Sequence, residues 1–596
     1  MPEKMFDRAL AGNEKALGAE HTSTIIAVHC LGNLYSRQGR LEDAEKMYDR
    51  ALAGNENALG PEHPSTLETA HNLGKLYWKR GRLRNAETLF NCALARCEKT
   101  LGAEHIMTLH TVESLGNLYR DQGRFEDAEK MHVRALAGME RAFGAEHTST
   151  LETVNNLGVL YSDRGRLQDA EKMFDRALAE CEKTLGAEHI LTLHTVQNLG
   201  NLYREQGRLE DAEKMHDRAL AGMERAFGTE HTFTLETVNN LGVLYSDQGR
   251  LQDAEKMFDR ARAGREKALG AEHTMTLGTL NNLGILYRDQ GQLEDAEKMH
   301  NRALAGYEKA FGAEHYFTLN AVGNLGTLYS IQGRLEDAEK MFDRVLAGRE
   351  KVFGAEHTRT LGGVNNLGIL YRHQGRFEDA EKMYDRALAG YEKALGAEHV
   401  NTLETVHNIG VLYSDQGRLE DAEKMLDSAL AGREKALGAD HASTLDTVNN
   451  LGVLYRKQGR LEGAEKMHDR ALAGYEKALG AVHIFTLETV NNLGVLYSDQ
   501  GRLQDAERMF DRVLRETALG AAHPSTLDTV NNLGKLYASQ GRLEDAEKMY
   551  DRALAGREKG LGAEHPSTLD TIKSLRLLYS DQGRPEDAKR MYDRAG

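Results

Sequence analysis

The sequence predicts an all-α protein, a solenoid of about fourteen helix-turn-helix repeats, and three observations lead to this fold class. A Leu/Ile-Gly-x-Leu-Tyr motif recurs through the 596 residues, and its glycines are 42 residues apart except for one step of 40. Each copy contains two stretches with the apolar spacing of an amphipathic helix. Glycine follows each stretch. Because every repeat buries its apolar face against its neighbours, such an array forms one elongated unit.

The first helix of each repeat, helix A, carries the motif. Its glycine is found at 32, 74, 116, 158, 200, 242, 284, 326, 368, 410, 452, 494 and 534, and Arg576 replaces it in a fourteenth copy. In the copy that spans residues 151–192, Leu151, Val154 and Leu157 are spaced so that they share one face of a helix. Gly165 is predicted to end this helix, because glycine adopts the left-handed conformation of a helix terminus without steric cost.

Two features predict how helix A begins. Ser149 and Glu152 fit a capping box, in which the Ser149 hydroxyl accepts a backbone N–H and the Glu152 carboxylate reaches back to the start of the helix. A histidine ends the preceding loop in all fourteen copies, from His21 to His565. A catalytic or metal-binding histidine would not need fourteen equivalents, so we expect these histidines to cap the loops.

A second apolar stripe defines helix B. Ala170, Phe174 and Ala177 lie on one face of this helix, and Gly186 is predicted to end it. Small residues such as Gly158 and Ala170 allow the two antiparallel helices to approach closely, while Phe174 fills the remaining space. Each repeat is therefore predicted to be a helical hairpin.

The order of these residues resembles the tetratricopeptide repeat, a helix-turn-helix unit. The resemblance rests on Leu-Gly, a tyrosine three residues later, a glycine four residues after that, and then Ala170, Phe174 and Ala177. The 42-residue form, with a long helix B followed by Leu-Gly-Ala-Glu-His-Pro, is similar to the repeats of kinesin light chains. The resemblance covers essentially the whole chain. It implies a right-handed superhelix whose A helices line a concave groove.

The repeat frame divides the chain into two parts. Residues 1–20 match helix B of an incomplete first repeat, and residues 21–596 form a continuous array of fourteen repeats, of which the last is truncated. The short step falls in the segment 511–520, which lacks two residues. Neither end carries a polar capping element, which favours an upstream domain or an end-to-end contact at the termini.

Composition argues against several function classes. The formal charge of −16 disfavours nucleic acid and anionic membranes as partners, and the lack of a long apolar run favours a cytoplasmic protein. Four cysteines without regular spacing predict neither a disulfide nor a metal site. The sequence has no Cys-x-x-Cys, His-x-x-x-His or phosphate-binding motif, so it predicts no cofactor, no metal and no catalytic residues.

Opposite the core stripe, helix A carries an asparagine in eleven copies, which we call the asparagine ladder. Its members are Asn72, Asn156, Asn198, Asn240, Asn282, Asn324, Asn366, Asn408, Asn450, Asn492 and Asn532. In the kinesin light chain family, equivalent asparagines contact the backbone of a bound peptide, and a carboxamide offers both a donor and an acceptor. The alternative is that each ladder asparagine bonds the backbone of the neighbouring repeat.

Charged and aromatic residues of helix A are further candidates for peptide binding. Arginine alternates with serine four positions after the motif glycine, at Arg120, Arg204, Arg288, Arg372 and Arg456. These arginines would meet acidic residues of a partner, or else pair with acidic residues of the surface. In the second repeat, Lys75, Trp78 and Lys79 form either an end of the groove suited to an acidic or aromatic motif, or a solvated turn with a half-buried Trp.

The sequence therefore predicts a protein-interaction scaffold without catalytic activity. Its partners would be proteins, bound as extended peptide segments in the groove of the A helices. The alternative is a sensing and autoinhibitory array for a nucleotide-binding switch encoded upstream.

Overall fold

The computed structural model describes residues 2–516 and 519–594. These residues form 29 α-helices and no β-strand. No helix among them is long and apolar enough to cross a membrane. A-type and B-type helices alternate along the chain, which confirms the all-α solenoid of tandem hairpins.

The helices are numbered in chain order, with A-type helices even and B-type helices odd. The A-type helices are α2 Thr22–Arg37, α4 Pro64–Lys79, α6 Ile106–Asp121, α8 Thr148–Asp163, α10 Ile190–Glu205, α12 Thr232–Asp247, α14 Thr274–Asp289, α16 Tyr316–Ile331, α18 Thr358–His373, α20 Val400–Asp415, α22 Ala442–Lys457, α24 Ile484–Asp499, α26 Pro524–Ser539 and α28 Pro566–Asp581. The B-type helices are α1 Pro2–Leu17, α3 Leu41–Leu59, α5 Leu83–Thr100, α7 Phe125–Phe143, α9 Leu167–Thr184, α11 Leu209–Phe227, α13 Leu251–Leu269, α15 Leu293–Phe311, α17 Leu335–Phe353, α19 Phe377–Leu395, α21 Leu419–Leu437, α23 Leu461–Ala478, α25 Leu503–Glu516, α27 Leu543–Gly560 and α29 Pro585–Arg594. Each A helix packs against the B helix before it and the B helix after it.

Each hairpin is held together by the apolar faces that the sequence predicts. In the fourth repeat, α8 and α9 bury Val154, Leu157, Ala170 and Phe174, each with at most 3% of its surface exposed. The motif glycine lies directly over the aromatic ring, because a β-carbon added to Gly158 would stand 2.7 Å from Phe174. The close approach of the two helices therefore requires glycine at this position.

Glycines end the helices as predicted. Gly165 follows α8 with a φ of +69°, and Gly186 follows α9 with a φ of +89°. Throughout residues 2–516 and 519–594, positive φ angles occur at glycines alone. The turns are therefore set locally by residues that tolerate the left-handed conformation.

The start of helix A differs from the predicted capping box. The N-cap is His147, whose Nδ1 accepts the backbone N–H of Ser149 at 3.2 Å. Helix α8 already begins at Thr148, so Ser149 is the second helical residue and its own N–H needs an acceptor. The capping box at Ser149 and Glu152 is therefore wrong, and the expected loop-capping role of the histidines is confirmed.

Successive turns of the solenoid touch along a line that we call the seam. The loop histidine of one repeat packs against the turn glycine of the repeat six places earlier, as His315 does against Gly81. His315 Nε2 also bonds the Lys79 carbonyl at 3.2 Å, and His357 makes the equivalent bond to Asp121. The eight glycine–histidine pairs are Gly39–His273, Gly81–His315, Gly123–His357, Gly165–His399, Gly207–His441, Gly249–His483, Gly291–His523 and Gly333–His565.

The two ends and the short step depart from the regular repeat. Helix α1 packs against α2 in the place of a B helix, and α29 has no buried residue. In the short step, α25 ends at Glu516, and residues 517 and 518 lie outside the described residues. The division of the chain at residue 20 stays a prediction.

Candidate functional site

One face of each A helix carries the asparagine ladder, and we call it the A-helix face. Glu488 on this face is exposed, yet the protein around it raises the pKa of its carboxyl to about 7, and Asp446 and Asp528 add repulsion. On a B helix, by contrast, a hydrogen bond from Arg376 lowers the pKa of Asp379. Glu488 is therefore harder to ionise than an ordinary surface glutamate.

The ladder asparagines connect neighbouring repeats through side chains. Asn324 Nδ2 donates to Asn281 Oδ1 at 3.0 Å, and Asn156 donates to Glu113 at 2.8 Å. Nine members make such a contact: Asn72, Asn156, Asn198, Asn282, Asn324, Asn408, Asn450, Asn492 and Asn532. The alternative of a bond to the neighbouring backbone is therefore wrong, since helical carbonyls are already used within their own helix and the facing side chain supplies the acceptor.

The ladder asparagines keep hydrogen-bonding capacity that the described part of the chain does not use. Ten members are half-buried, and Asn366 is exposed. Within residues 2–516 and 519–594, none of the eleven Oδ1 atoms accepts a hydrogen bond. A carboxamide also has two N–H groups, and in most members the neighbouring repeat takes one of them. Each of the eleven ladder positions thus offers an unused acceptor, and usually a donor, on the A-helix face.

The arginine series is paired along the same face. Each of the five arginines forms an ion pair with an aspartate: Arg120, Arg204, Arg288, Arg372 and Arg456. Arg204 reaches Asp247 of the following repeat at 2.8 Å, whereas Arg288 pairs with its neighbour Asp289 at 2.7 Å. A partner's acid would have to displace these aspartates, so the geometry favours surface pairing over peptide recognition.

Lys75, Trp78 and Lys79 line a cavity of about 850 Å³ at the seam. Trp78 is half-buried and its Nε1 donates to Asp121 at 2.8 Å, while Lys79 Nζ donates to the Ser36 carbonyl at 2.9 Å. The following superhelical turn supplies an aromatic wall: Phe311, Tyr316, Phe317 and Phe353. Burial lowers the pKa of both lysines. The three residues thus line a basic and aromatic cavity between two turns. Trp78 is half-buried and both lysines are exposed, which is also consistent with the solvated-turn alternative.

Sequence reasoning missed a set of arginines on helix B. Arg265, Arg349, Arg433 and Arg557 occupy the position that Met139 and Met223 hold in earlier repeats. Arg265, Arg433 and Arg557 are at most 4% exposed, and Arg349 is half-buried. The signal was present in the sequence, because arginine interrupts the apolar stripe of helix B at one fixed place.

Solved structures give several matches. A Podosopora anserina structure, named for nearly identical kinesin light chain TPR-like repeats, is 26% identical and covers 35% of this chain and 98% of its own, with a TM-score of 0.30. BtubC (BKLC) from P. vanneervenii is 25% identical and covers 39% of this chain and 92% of its own, with a TM-score of 0.33. A comparison with curated proteins gives no match.

The tetratricopeptide repeat profile matches the chain in eleven overlapping segments. They are residues 23–99, 76–141, 104–183, 149–225, 190–267, 234–309, 275–351, 358–435, 406–477, 443–515 and 519–595. Because these segments cover nearly all of the helical array, the chain belongs to the tetratricopeptide repeat family, and it is a protein-interaction scaffold of that kind.

Proposed function

We propose that this scaffold holds an extended segment of a partner protein along its A-helix face, with the asparagine ladder bonding the backbone of the segment. The observation that carries the proposal is the set of unused carboxamide oxygens, one at each ladder position. A row of donors and acceptors can pair with a peptide backbone whatever its side chains are.

The spacing of the repeats suits an extended backbone. Packed helices lie about 10 Å apart, which we take as the spacing of neighbouring A helices, and an extended chain advances about 3.3 Å per residue. One repeat therefore corresponds to about three residues of the bound segment. Side chains of that segment would then contact the positions of the A-helix face that differ between repeats.

The cavity around Trp78 adds a place for selectivity at the second repeat. Lys75 and Lys79 supply positive charge, and Trp78 with the aromatic wall supplies apolar contact area. An acidic or aromatic side chain of the segment fits this combination. The carboxylate of Asp121 already accepts the Trp78 N–H, so the ring is held in place before a ligand arrives.

The proposal is tested with a displayed library of random 15-residue segments selected against the intact chain. A selected segment is labelled, and its dissociation constant is measured by fluorescence anisotropy with the chain and with a variant that carries Asn240→Ala, Asn282→Ala, Asn324→Ala and Asn366→Ala. Four lost contacts of about 1 kcal/mol each should weaken binding more than tenfold, since about 1.4 kcal/mol corresponds to tenfold.

A matched control separates binding from packing. Asn239→Ala and Asn281→Ala remove the acceptors of Asn282 and Asn324, so they break the same contacts between repeats but leave the ladder amides in place. We expect this control to bind within about threefold of the natural chain, with equal helicity by circular dichroism. Equal binding by the fourfold ladder variant would move the site away from the ladder. Regulation of a nucleotide-binding switch stays a prediction.

A further inference from the structure

The four arginines of helix B share one arrangement. Each donates from Nη1 to the backbone carbonyl ten residues later, which belongs to the second residue of the next A helix. Each also has an Nε that is buried without a partner in the described part of the chain. A guanidinium in this position needs an anion, because burial of an unpaired charge is costly.

Arg433 and Arg557 have that anion within the chain. Arg433 donates to the Thr447 hydroxyl at 2.9 Å and lies 3.9 Å from the Asp446 carboxylate. Arg557 forms an ion pair with Asp528 and donates to the hydroxyl of the threonine equivalent to Thr447. Both guanidiniums are therefore compensated by residues of the A-helix face.

Arg265 follows the same pattern with a weaker acid contact. It donates to the Thr279 hydroxyl at 2.7 Å, and the carboxylate of Glu236 stabilises its charge from a greater distance. Three of the four arginines thus have both a threonine hydroxyl and a carboxylate nearby.

Arg349 has neither of these partners. Gly362 stands where Asp446 stands two repeats later, Gly363 replaces the threonine, and Asn320 replaces the carboxylate on the preceding A helix. Arg349 donates to the Asn320 Oδ1 at 2.8 Å, and no carboxylate pairs with it anywhere in residues 2–516 and 519–594. The charge nearest to it on the next helix is a second cation, Arg359, and burial lowers the pKa of Arg349.

Packing alone does not explain the glycines. Val345 is larger than the alanine found at its position in most repeats, and a β-carbon on Gly363 would stand 3.6 Å from it. Val513 occupies the equivalent position four repeats later, yet it lies beside Asn491 and Thr529, where Val345 has Gly323 and Gly363. A valine at this position is therefore compatible with the full side chains of the ordinary repeat.

The contact between a ladder asparagine and the preceding repeat is also missing between the eighth and ninth repeats, which we call the joint. Gly323 stands where other repeats present the acceptor for the next ladder asparagine, so Asn366 has no acceptor side chain to reach. Asn366 is the exposed member of the ladder and makes no hydrogen bond within the described ranges of the chain. A free carboxamide and an uncompensated guanidinium thus occupy the same joint between the eighth and ninth repeats.

We propose that this joint is a carboxylate-binding site, in which the Arg349 guanidinium receives an aspartate or glutamate side chain of the bound segment while Asn366 holds its backbone. The proposal rests on groove binding as the proposed function and names one anchor within it. Arg349 is half-buried, whereas the other three arginines are buried, so its guanidinium keeps some contact with solvent. Gly362 adds no side chain over it: a β-carbon there would stand 4.0 Å from Nη1 and 3.3 Å from the Tyr391 hydroxyl. A charge-assisted, bidentate bond to the carboxylate would replace the missing internal anion.

The first test compares segments selected from the random library on the intact chain. We expect a recurrent acidic residue, and a twin segment with glutamine in place of glutamate should bind at least tenfold more weakly. Arg349→Met should abolish that difference while the chain stays folded, because methionine fills this position in earlier repeats. Arg433→Met removes the same charge elsewhere and should keep the difference. Selected segments without an acidic preference, or a preference that survives Arg349→Met, would overturn the site.

A second test does not depend on any segment. Gly362→Asp supplies the carboxylate that Asp446 supplies two repeats later, so it should raise the melting temperature by several degrees over Gly278→Asp, its equivalent beside the compensated Arg265. The gain should vanish when Arg349→Met is combined with Gly362→Asp. Equal melting temperatures for Gly362→Asp and Gly278→Asp would show that Arg349 needs no anion. A further outcome is that the library yields no segment while Gly362→Asp still raises the melting temperature. That result would overturn groove binding but would support the missing anion beside Arg349.

Discussion

The first six and the last eight loop histidines end loops of nearly the same sequence but lie in different surroundings. All fourteen are N-caps whose Nδ1 accepts the N–H two residues later. From His273 onward, each ring also packs against the turn glycine six repeats earlier. His147 is exposed, for example, whereas His315 is 8% exposed. The same capping histidine therefore also joins two turns of the solenoid wherever a repeat lies six places earlier.

The difference shows how a residue that is positioned by its own loop can also contact a repeat that is distant in the sequence. The capping bond fixes Nδ1 as an acceptor, so the neutral ring carries its proton on Nε2. Nε2 then points to the exposed carbonyl end of an earlier A helix, which lacks an intrahelical partner. Capping and seam contact thus use opposite sides of one neutral imidazole.

The largest expected effect that bears on this comparison is acid destabilisation. Burial lowers the pKa of the seam residues His315, His357 and His483 to about 4. The unfolded imidazole titrates near 6.5, so the unfolded chain binds more protons and stability falls as the pH drops from about 6.5 toward 4. Each ring should cost about 2 kcal/mol at pH 5. Urea denaturation at pH 7.5 and pH 5 measures the loss.

Histidines of the hairpin cores must be removed to isolate the seam. His132, His216, His300 and His468 are fully buried, and burial lowers the pKa of each to about 4. Neighbouring repeats have phenylalanine at the same position, such as Phe174, so all four histidines can be changed to Phe. The variant should lose roughly a third of the acid response, because His71 and His407, buried on A helices with pKa values lowered to about 3 and about 4, remain together with the seam histidines. A variant without any remaining acid response would show that the folded chain does not lower the pKa of the seam histidines.

A glycine pair gives the next largest effect. Gly333 and Gly375 have φ angles of +73° and +72°, so alanine strains both backbones by about 1–2 kcal/mol. A β-carbon on Gly333 would also stand 2.5 Å from the His565 ring, whereas Gly375 faces open space. Gly333→Ala should therefore cost a further 1–3 kcal/mol, roughly, in urea denaturation. Equal losses of stability in the two variants would mean that the His565 ring moves away from residue 333 without a cost in free energy.

The smallest expected effect comes from the histidines themselves. His147→Ala removes an N-cap and a ring contact to Phe143, which should cost about 1 kcal/mol. His315→Ala removes the same cap and the equivalent contact to Phe311, together with the bond to the Lys79 carbonyl. We expect it to cost about 1 kcal/mol more. Thermal unfolding of both variants measures the two costs. Equal costs would show that the bond from His315 to the Lys79 carbonyl contributes nothing to the free energy of unfolding.

Much of the fold follows from local sequence. The period, the two helical stripes and the glycine turns predict each hairpin, because every one of these features acts within a single repeat or between neighbours. The start of helix A was predicted less well, since the capping box at Ser149 is consistent with the sequence but the histidine two residues earlier takes the capping role. Two capping groups that compete at one helix terminus cannot be ranked from spacing alone.

For the candidate site, the sequence determined which residues form the ladder and where arginine enters helix B. It could not determine their partners. The tertiary structure pairs Asn324 with Asn281 across a repeat boundary and brings the wall of Phe311 and Phe353 to Trp78 from a later turn. It also shows that Arg349 lacks the anion that Arg433 and Arg557 possess. A period fixes neighbours along the array, whereas contacts more than two hundred residues apart depend on the curvature that all repeats accumulate together.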